Sequence, residues 1–465
     1  MLKRPQITLR EVVILLALAG LPLYLVRAAR AQDETTFPIN SSHWDKSRKL
    51  SDNLPEQPSL PPAFTIPVQP LGYSAPGPFY LGRHNRLVSL DFLDENRLLF
   101  TFQVPGLMHR RTMDNAAIDE RQIRAVVVSL PQGKVEADAL WAVHDRIRYL
   151  WMLNDGHFLL RDRDALEQGD ATLHLKPFLR FPGRLLWIEM DPEQQFMDAD
   201  YLMPAATEQK SAQVNIPPVP RSATAPSQKL SDVKPDLKPD LVMRTLRRDS
   251  GEMVLESRIG LTVQQPTSSD GYTEVEAAML SGMLQRAQLP INSVGFLQNA
   301  RNDTNEWYVS MKSFAGTLKD VATVESKCEP TSDFISEREF LVTACDLWDG
   351  WDLIAMASNG RPLWEDKTSS HEIWAQWVHS QDGTRIAREA VLLNHPMTHG
   401  LRPLKPENVK GQLVRVLNAA DGRVVLETVA SPTLDGGGNI AISPSGRRAA
   451  VLNDGAIQVF ELPPH

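Results

Sequence analysis

The sequence is poor in the features that mark membrane domains, disulfide frameworks and nucleic-acid binding. It has 465 residues, only two cysteines, 7% aromatic residues and a single long apolar run, near the N-terminus. Two cysteines exclude a disulfide-dense miniprotein, and one apolar run excludes a multi-span membrane protein. The formal net charge of −8 argues against a nucleic-acid partner, because nucleic-acid binders usually present a basic face. A large globular protein remains.

Local motifs of catalysis and metal binding are also missing. No Gly-x-Ser-x-Gly elbow, phosphate-binding loop, His-Glu-x-x-His or Cys-x-x-Cys pattern occurs. The run Gly436–Gly438 precedes a predicted strand instead of a helix, so it lacks the helix N-terminus of a phosphate site. His395 and His399 flank Pro396 in a predicted loop without an evident third ligand. We therefore predict no cofactor and no metal, and the sequence names no catalytic residue.

The first thirty-one residues have the three-part form of a secretory signal peptide. A basic start is followed by the apolar run Val12–Val26 and by Ala29-Arg-Ala31, a small-x-small cleavage pattern before Gln32. The alternative is an uncleaved N-terminal anchor, but a spanning helix needs ~20 apolar residues and this run has 15. We predict cleavage between Ala31 and Gln32 and a periplasmic or secreted protein, with membrane contact only through this segment if it is uncleaved.

Prolines cluster in two stretches and divide the remaining chain into two blocks. Residues 32–80 hold nine of the 34 prolines, and residues 204–240 hold seven more. Such stretches are typically extended and lack a packed core. The predicted organisation is a signal peptide at 1–31, an extended segment at 32–80, a first structured block at 81–203, a solvated linker at 204–240 and a second structured block at 241–465.

Both blocks have the pattern of short strands separated by glycine or Asn/Asp turns. The apolar runs on either side of Asn154-Asp-Gly156 predict a hairpin, because an Asp-Gly step suits the positive φ of a type I′ turn. The exception is Tyr272–Gln288, where apolar residues four apart fit one face of a helix. We predict an inserted helix there, with a strand over Glu274–Met279 as the alternative.

Several strand-turn-strand segments resemble one another. One set is Val126–Lys134, Leu353–Arg361 and Val414–Arg423, a second is Leu153–Gly156 and Leu452–Gly455, and a third is Phe92–Phe100, Phe334–Val342 and Ile442–Ala450. Weak self-similarity of strand pairs over a few hundred residues is typical of a β-propeller. At ~45 residues per blade, the two blocks correspond to about seven or eight blades.

Two of these turn types resemble those of a known class of repeats. The run Ile440–Gly446 resembles the "strand, Ser-Pro-x-Gly, strand" unit of WD40-like bacterial propellers. The turns Asn359–Trp364 and Ala420–Val425 resemble the "Asp-x-x-Gly-Arg" hairpins of quinoprotein-type and WD40-like repeats. This resemblance implies an all-β propeller. The alternative architecture is a pair of β-sandwich domains split at the second proline-rich stretch.

Two functions of different classes remain open. The favoured prediction is an exported, non-catalytic propeller that binds a protein or a cell-envelope component, since no catalytic motif is present. The alternative is an exported enzyme, either a hydrolase or a quinone-dependent oxidoreductase, with its site at the central channel, because such sites can be assembled from scattered residues. Several titratable groups converging on the channel would favour the enzyme.

Two further expectations concern the second block. The C-terminal strand Ala456–Leu462 is expected to pair with strands of the first block and close the ring, because closure removes exposed sheet edges. Cys328 and Cys345 bracket a strand-turn-strand unit, whose ends lie side by side at a spacing that a disulfide can bridge. Export favours a disulfide over two buried free thiols.

Overall fold

The computed structural model describes most of the chain from residue 54 onward. The described residues are 38–39, 54–81, 85–105, 109–110, 119–144, 148–203, 240–260, 290–301, 305–345, 351–368, 371–395 and 405–464. The Ala31–Gln32 junction, the linker up to residue 239 and the segment Tyr272–Gln288 lie outside them. Within them the chain is nearly all β, with single-turn 3₁₀ helices at Gln69–Leu71, Pro78–Tyr80 and Pro406–Asn408. None of the described helices is long and apolar enough to cross a membrane.

The strands form seven sheets, numbered blades 1 to 7 in chain order. Two strands precede the blades: β1 (Pro38–Ile39) and β2 (Phe64–Pro67). Blade 1 contains β3 (Val88–Asp94), β4 (Arg97–Gln103), β5 (His109–Arg110), β6 (Asp119–Ser129) and β7 (Lys134–Val143). Blade 2 contains β8 (Leu150–Met152), β9 (Phe158–Asp162), β10 (Ala165–Gly169) and β11 (Lys176–Arg180). Blade 3 contains β12 (Arg184–Met190), β13 (Phe196–Met203), β14 (Asp240–Arg247) and β15 (Met253–Gly260).

Blade 4 contains β16 (Ile291–Asn292), β17 (Gly295–Arg301), β18 (Glu306–Ser313) and β19 (Leu318–Glu325). Blade 5 contains β20 (Thr331–Ser336), β21 (Glu339–Cys345), β22 (Trp351–Ala357) and β23 (Pro362–Lys367). Blade 6 contains β24 (Glu372–His379), β25 (Arg385–Leu393), β26 (Val409–Asn418) and β27 (Val424–Ala430). Blade 7 contains β28 (Ile440–Ile442), β29 (Arg448–Asn453) and β30 (Ala456–Glu461). The fold is therefore a seven-bladed β-propeller, as predicted, and the two-sandwich alternative is wrong.

The apolar core lies between the blades, because each inner strand is covered on both of its faces. In β29, Ala450 and Leu452 pack toward blade 1, whereas Ala449 and Val451 pack toward blade 6. This alternation follows from the two-residue period of a strand. Apolar clusters fill the junctions around the ring. The junction between blades 3 and 4 has the smallest of these clusters, built on Phe196, Ile291 and Phe296.

The ring is closed by a strand from the proline-rich segment. The residues of β2 pair antiparallel with β30 and form the outer strand of blade 7. Ile66 and Val68 are 3% and 1% exposed, within the cluster that joins blades 7 and 1. The expectation that 32–80 lacks packed structure is thus wrong for residues 54–80, because alternate apolar side chains fit a strand despite the prolines. The C-terminal strand does pair with an N-terminal strand, but that strand precedes the predicted first block.

The predicted boundary between the two blocks does not separate two domains. Strands β12 and β13 come from the first block and β14 and β15 from the second, yet the four form one sheet. Met203 pairs with Asp240 at the point where the described chain is interrupted. The proline-rich linker therefore connects two strands within blade 3.

The predicted disulfide is present. Cys328 and Cys345 are joined with a Cα–Cα distance of 5.7 Å. Cys328 precedes β20 and Cys345 ends β21, so the bond ties together the ends of the first hairpin of blade 5. The backbone N–H of Cys345 also donates to the Ser326 hydroxyl at 3.0 Å.

Candidate functional site

A cavity of about 1060 Å³ lies at the centre of the ring. Side chains from all seven blades line it, mostly from the first strand of each blade. They include Asp91 (blade 1), Trp151 (blade 2), Trp187 and Glu189 (blade 3), Gln298 (blade 4), Asp333 (blade 5), Trp377 and His379 (blade 6) and Ile442 (blade 7). The volume is in the upper range of small-molecule and peptide side-chain pockets.

The cavity widens at blade 4 because the first strand of that blade is only two residues long. As a result, the second strand, β17, supplies Leu297, Gln298 and Asn299 to the wall. Asn299 joins this wall to blade 5. Its side-chain amide donates to the Pro330 carbonyl at 2.9 Å, and it accepts a hydrogen bond from the Ser332 hydroxyl at 2.8 Å.

A pair of carboxyl groups spans the wide side of the cavity. Glu189 on β12 and Asp333 on β20 share a hydrogen bond, so blade 3 and blade 5 meet across the short strand of blade 4. Burial raises the pKa of Asp333, and burial together with the negative charge of Asp333 raises the pKa of Glu189 well above its usual value. Two carboxyl groups in contact hold a proton more tightly than either would alone.

Two more aspartates stand behind this pair on the face of blade 3 that is turned toward blade 4. Asp198 lies directly opposite Glu189 in the β12–β13 register, and Asp200 follows two residues later, so the three side chains emerge on one face. The Thr245 hydroxyl donates to Asp198. Burial raises the pKa of Asp198 to about 8, and burial with the nearby Asp198 raises that of Asp200 well above its usual value. These carboxylates replace the apolar residues that fill the other junctions.

A second carboxyl pair follows β12. Asp191 and Glu193 are hydrogen-bonded to each other, and the backbone N–H of Phe196 donates to Asp191 at 2.7 Å. Burial, opposed by that backbone hydrogen bond, raises the pKa of Asp191 to about 7. The wall formed by blade 3 thus carries carboxyl groups at Glu189, Asp191, Asp198 and Asp200. We call these four residues and Asp333 the acidic wall.

The opposite side of the cavity carries balanced charge. Arg86 and Arg148 lower the pKa of Asp91, although burial outweighs them and leaves it raised. Burial, with repulsion from Arg86, lowers the pKa of Arg148 to about 10. Glu389 accepts from the Gly438 N–H at 3.0 Å, and burial raises its pKa to about 7 against the attraction of Arg86.

The loop before β28 closes this side because it contains glycines. The backbone carbonyl of Gly438 accepts from the Leu90 N–H at 3.0 Å, and that of Gly436 accepts from Arg86 at 2.9 Å. Gly438 has φ +107°, and a β-carbon there would lie 2.0 Å from the Val88 carbonyl oxygen. The run Gly436–Gly438 is therefore a loop that precedes a strand, as predicted, and its glycines permit the close approach of two backbones.

Tryptophans contribute to the walls. Trp151 and Trp187 meet edge to face with ring centroids 6.1 Å apart. The Arg148 guanidinium lies 5.3 Å from the centre of the Trp151 ring. Trp377 lines the cavity and also packs against the junction of blades 5 and 6, where Trp364 is part of the packing as well. These tryptophans serve both packing between blades and the cavity surface.

The residues singled out from sequence do not form this site. The disulfide Cys328–Cys345 lies just outside it, next to Glu329 and Pro330, which line the cavity. Among the described residues, no group of three or more His, Cys, Asp or Glu side chains has a geometry that would hold a metal ion. The sequence analysis did not identify the acidic wall. The Asp-Ala-Asp pattern in Asp198–Asp200, which places two carboxyl groups on one face of a strand, is the signal that could have indicated it.

Comparison with known proteins finds similarity at the level of solved structures. No protein-family model matches the chain, and no curated protein matches it. The Pyrococcus horikoshii acylaminoacyl peptidase aligns with a TM-score of 0.42 and 8% identity over 82% of this chain and 52% of its own, so this chain spans about half of the peptidase. Chaetomium thermophilum Sqt1, bound to the N-terminus of ribosomal protein L10, aligns at 0.42 and 11% over 86% of this chain and 100% of its own. The β-propeller domain of Myceliophteria thermophila Cps50 (Swd1) aligns at 0.40 and 13%, covering 87% and 100%.

Proposed function

We propose that this chain is an exported, non-catalytic propeller that binds a protein or a cell-envelope component in its central cavity. The observation that supports this most is the cavity itself, which all seven blades line and which is wide enough for a side chain or a short loop. Its walls combine aromatic rings with charged and amide groups, the mixture that recognises a polar ligand and excludes water around it.

Two features support export. The N-terminal thirty-one residues have the signal-peptide pattern, and the Cys328–Cys345 disulfide is of a kind that persists in oxidising compartments. The proposal expects the mature protein, recovered from the cell envelope or the medium, to begin at Gln32, which N-terminal mass analysis measures. A retained Met1 would point to the uncleaved anchor.

We also assign the repeats to the WD40-like or quinoprotein-like bacterial type. The supporting observation is the position of the motifs. Asn359–Trp364 and Ala420–Val425 both contain the turn between the third and fourth strands of their blades, and Ile440–Gly446 contains the turn between the first and second strands of blade 7. Motifs of one kind thus occupy one place in the blade, as the repeats of such a class would.

The binding proposal is tested by filling the cavity. Gln298 is half-buried on the cavity wall, whereas Val424 is 44% exposed on an outer strand. We expect immobilised mature protein and a Val424→Trp control to retain the same cell-envelope component, and a Gln298→Trp variant to lose it. Equal retention by all three proteins would show that the cavity is not the binding site.

A hydrolase is the second candidate. Several titratable groups converge on the channel, as expected of an enzyme, and the Glu189–Asp333 pair is the most specific of these features. Two carboxyl groups that share one proton can act as an acid and a base on a water molecule. A hydrolase would lose turnover of its substrate in Asp333→Asn while still binding that substrate. The binding proposal instead expects no turnover by either protein.

A further inference from the structure

We propose that the cavity recognises a cationic side chain of its partner, a lysine ammonium or an arginine guanidinium group, which enters the cavity and binds to Glu189 and Asp333. This inference rests on the proposed binding function and specifies the chemistry of the ligand. The cation would take the place of the proton that the two carboxyl groups now share.

Charge is unevenly distributed around the cavity, and this favours a cation on one side of it. On one side, Arg86 and Arg148 accompany Asp91 and Glu389. On the acidic wall, Arg148 attracts Glu189 without forming an ion pair with it, and neither Glu189 nor Asp333 forms an ion pair with a lysine, arginine or histidine of the described residues. A carboxylate withdrawn from water is costly unless a cation or a proton compensates it. The acidic wall therefore offers an unfilled position for positive charge.

Two buried aspartates lie behind the pair and also favour a cation. Asp198 and Asp200 are only 8% and 3% exposed, and in each the Oδ2 atom has no hydrogen-bond partner within the described part of the chain. Asp198 shares its face of blade 3 with Glu189, and the charges of both aspartates act on Glu189. Burial keeps both aspartates largely protonated at neutral pH, and a cation at the carboxyl pair would favour their ionised forms, whose negative charge attracts it in turn.

An aromatic surface lies beside the pair and suits an organic cation. Trp187 is two residues before Glu189 on the same strand, so both side chains emerge on the same face of blade 3. Trp151 meets the edge of Trp187 and extends the aromatic surface around the cavity. Tryptophan rings attract ammonium and guanidinium groups, as the Arg148 guanidinium 5.3 Å from the centre of the Trp151 ring shows within this chain, and Trp187 lines the cavity beside the carboxyl pair. Aromatic and carboxylate groups together favour an organic cation over a small hydrated ion.

Binding of the cation depends on pH because the site must lose a proton. Glu189 is faced by Asp333 from β20, by Asp198 and Asp200 from β13 and, as the nearby positive charge, by Arg148 before β8. The acidic groups raise its pKa, so the pair is protonated at acidic pH. We expect affinity to rise from pH 5 toward pH 8, with release of a proton that becomes visible as a dependence of the binding heat on the buffer.

The test uses acetylated, amidated glycine pentapeptides with a central lysine, arginine or norleucine. Norleucine has the apolar stem of lysine without its charge. Titrations on mature protein by NMR and calorimetry are expected to show lysine and arginine peptides binding at least about tenfold more tightly than the norleucine peptide, a difference of about 1.4 kcal/mol. Glu189→Gln and Asp333→Asn should each remove this preference. Glu136→Gln, the same change on the exposed outer strand of blade 1, should preserve it.

The controls separate this inference from the binding function on which it rests. Glutamine keeps an uncharged hydrogen-bonding group beside Asp333, so Glu189→Gln should not lower the melting temperature and the folded variant is a fair test. Equal affinity for all three peptides, or no binding of the cationic ones up to about 10 mM, overturns the cation site. If Gln298→Trp still abolishes capture of the natural component in that case, the cavity binds a ligand of another class. If Gln298→Trp captures normally, the binding function itself is wrong.

Discussion

Truncation of Ile66 should destabilise the whole ring, although this residue lies in a four-residue strand of a proline-rich segment. Ile66 pairs with Ile457 across β2 and β30, and backbone hydrogen bonds from Ala63 to Val459 and from Val68 to Gly455 flank the pair. These contacts place Ile66 between blade 1 and blade 7, the last blade in sequence order.

The expected loss follows from the packing of Ile66. The side chain is 3% exposed, and its Cγ2 atom lies 3.0 Å from where a β-carbon on Gly133, in the turn between β6 and β7, would stand. Ile66→Ala removes three buried carbons at about 0.8 kcal/mol each. The remaining cavity between two blades adds to this, so the free energy of unfolding should fall by about 3 kcal/mol.

The assay is urea unfolding followed by tryptophan fluorescence, with Thr65→Ala as the matched control. Thr65 is the preceding residue of the same strand and is exposed, so its truncation should change stability by less than about 0.5 kcal/mol. A stronger change, Ile66→Asp, should detach β2, expose the edge of β30 and lead to association through that edge. If Ile66→Ala is as stable as Thr65→Ala, β2 does not hold the ring closed and the argument fails.

Three further predictions concern the interior. Because its pKa is raised, Asp198 keeps in the folded state a proton that the unfolded chain releases near pH 4. Its contribution to stability is therefore full below that pH and is lost as pH rises through about 8. Asp198→Asn should flatten the decrease in melting temperature between pH 5 and pH 8, and an unchanged slope would contradict this. Replacing Cys328 and Cys345 together by alanine should lower the free energy of unfolding by about 3 kcal/mol. An unchanged free energy of unfolding would mean that the bond contributes nothing. Tyr149→Phe removes the buried 2.7 Å hydrogen bond to Thr101 and should cost about 1 kcal/mol in the same assay, and no change would mean that water replaces the phenol.

The repeated hairpins could be predicted because their pattern is local. Three resembling segments all span the turn between the last two strands of a blade, as their mutual resemblance implied: Val126–Lys134 (β6–β7), Leu353–Arg361 (β22–β23) and Val414–Arg423 (β26–β27). In contrast, Leu153–Gly156 and Leu452–Gly455 match each other closely but occupy different turns, the first-to-second and the second-to-third. An Asn-Asp-Gly motif predicts the backbone conformation of a turn but not the position of that turn in a blade.

The strand β2 escaped prediction for the opposite reason, because its environment is not local. Four residues with one proline carry little strand signal, and their pairing with β30 spans most of the chain. Ile66 and Val68 are buried only because blades 7 and 1 pack against them from both sides. A high proline content argues against a helix or a central strand. It does not argue against an outer strand such as β2, where proline is tolerated.

The acidic wall could not be predicted because its residues come from strands that are distant in sequence. The same residues relate the stability of this ring to binding. Apolar packing is smallest at the junction of blades 3 and 4, where Asp198 and Asp200 occupy the face that elsewhere carries apolar side chains. Protonation permits the burial of Asp198 up to about pH 8, whereas a bound cation would permit it at higher pH as well. A ligand that binds only the folded state raises its stability. A ligand that compensates these charges should therefore stabilise the ring at the junction with the least apolar packing. The junction that is weakest without a ligand is for this reason the one where we expect a partner to bind.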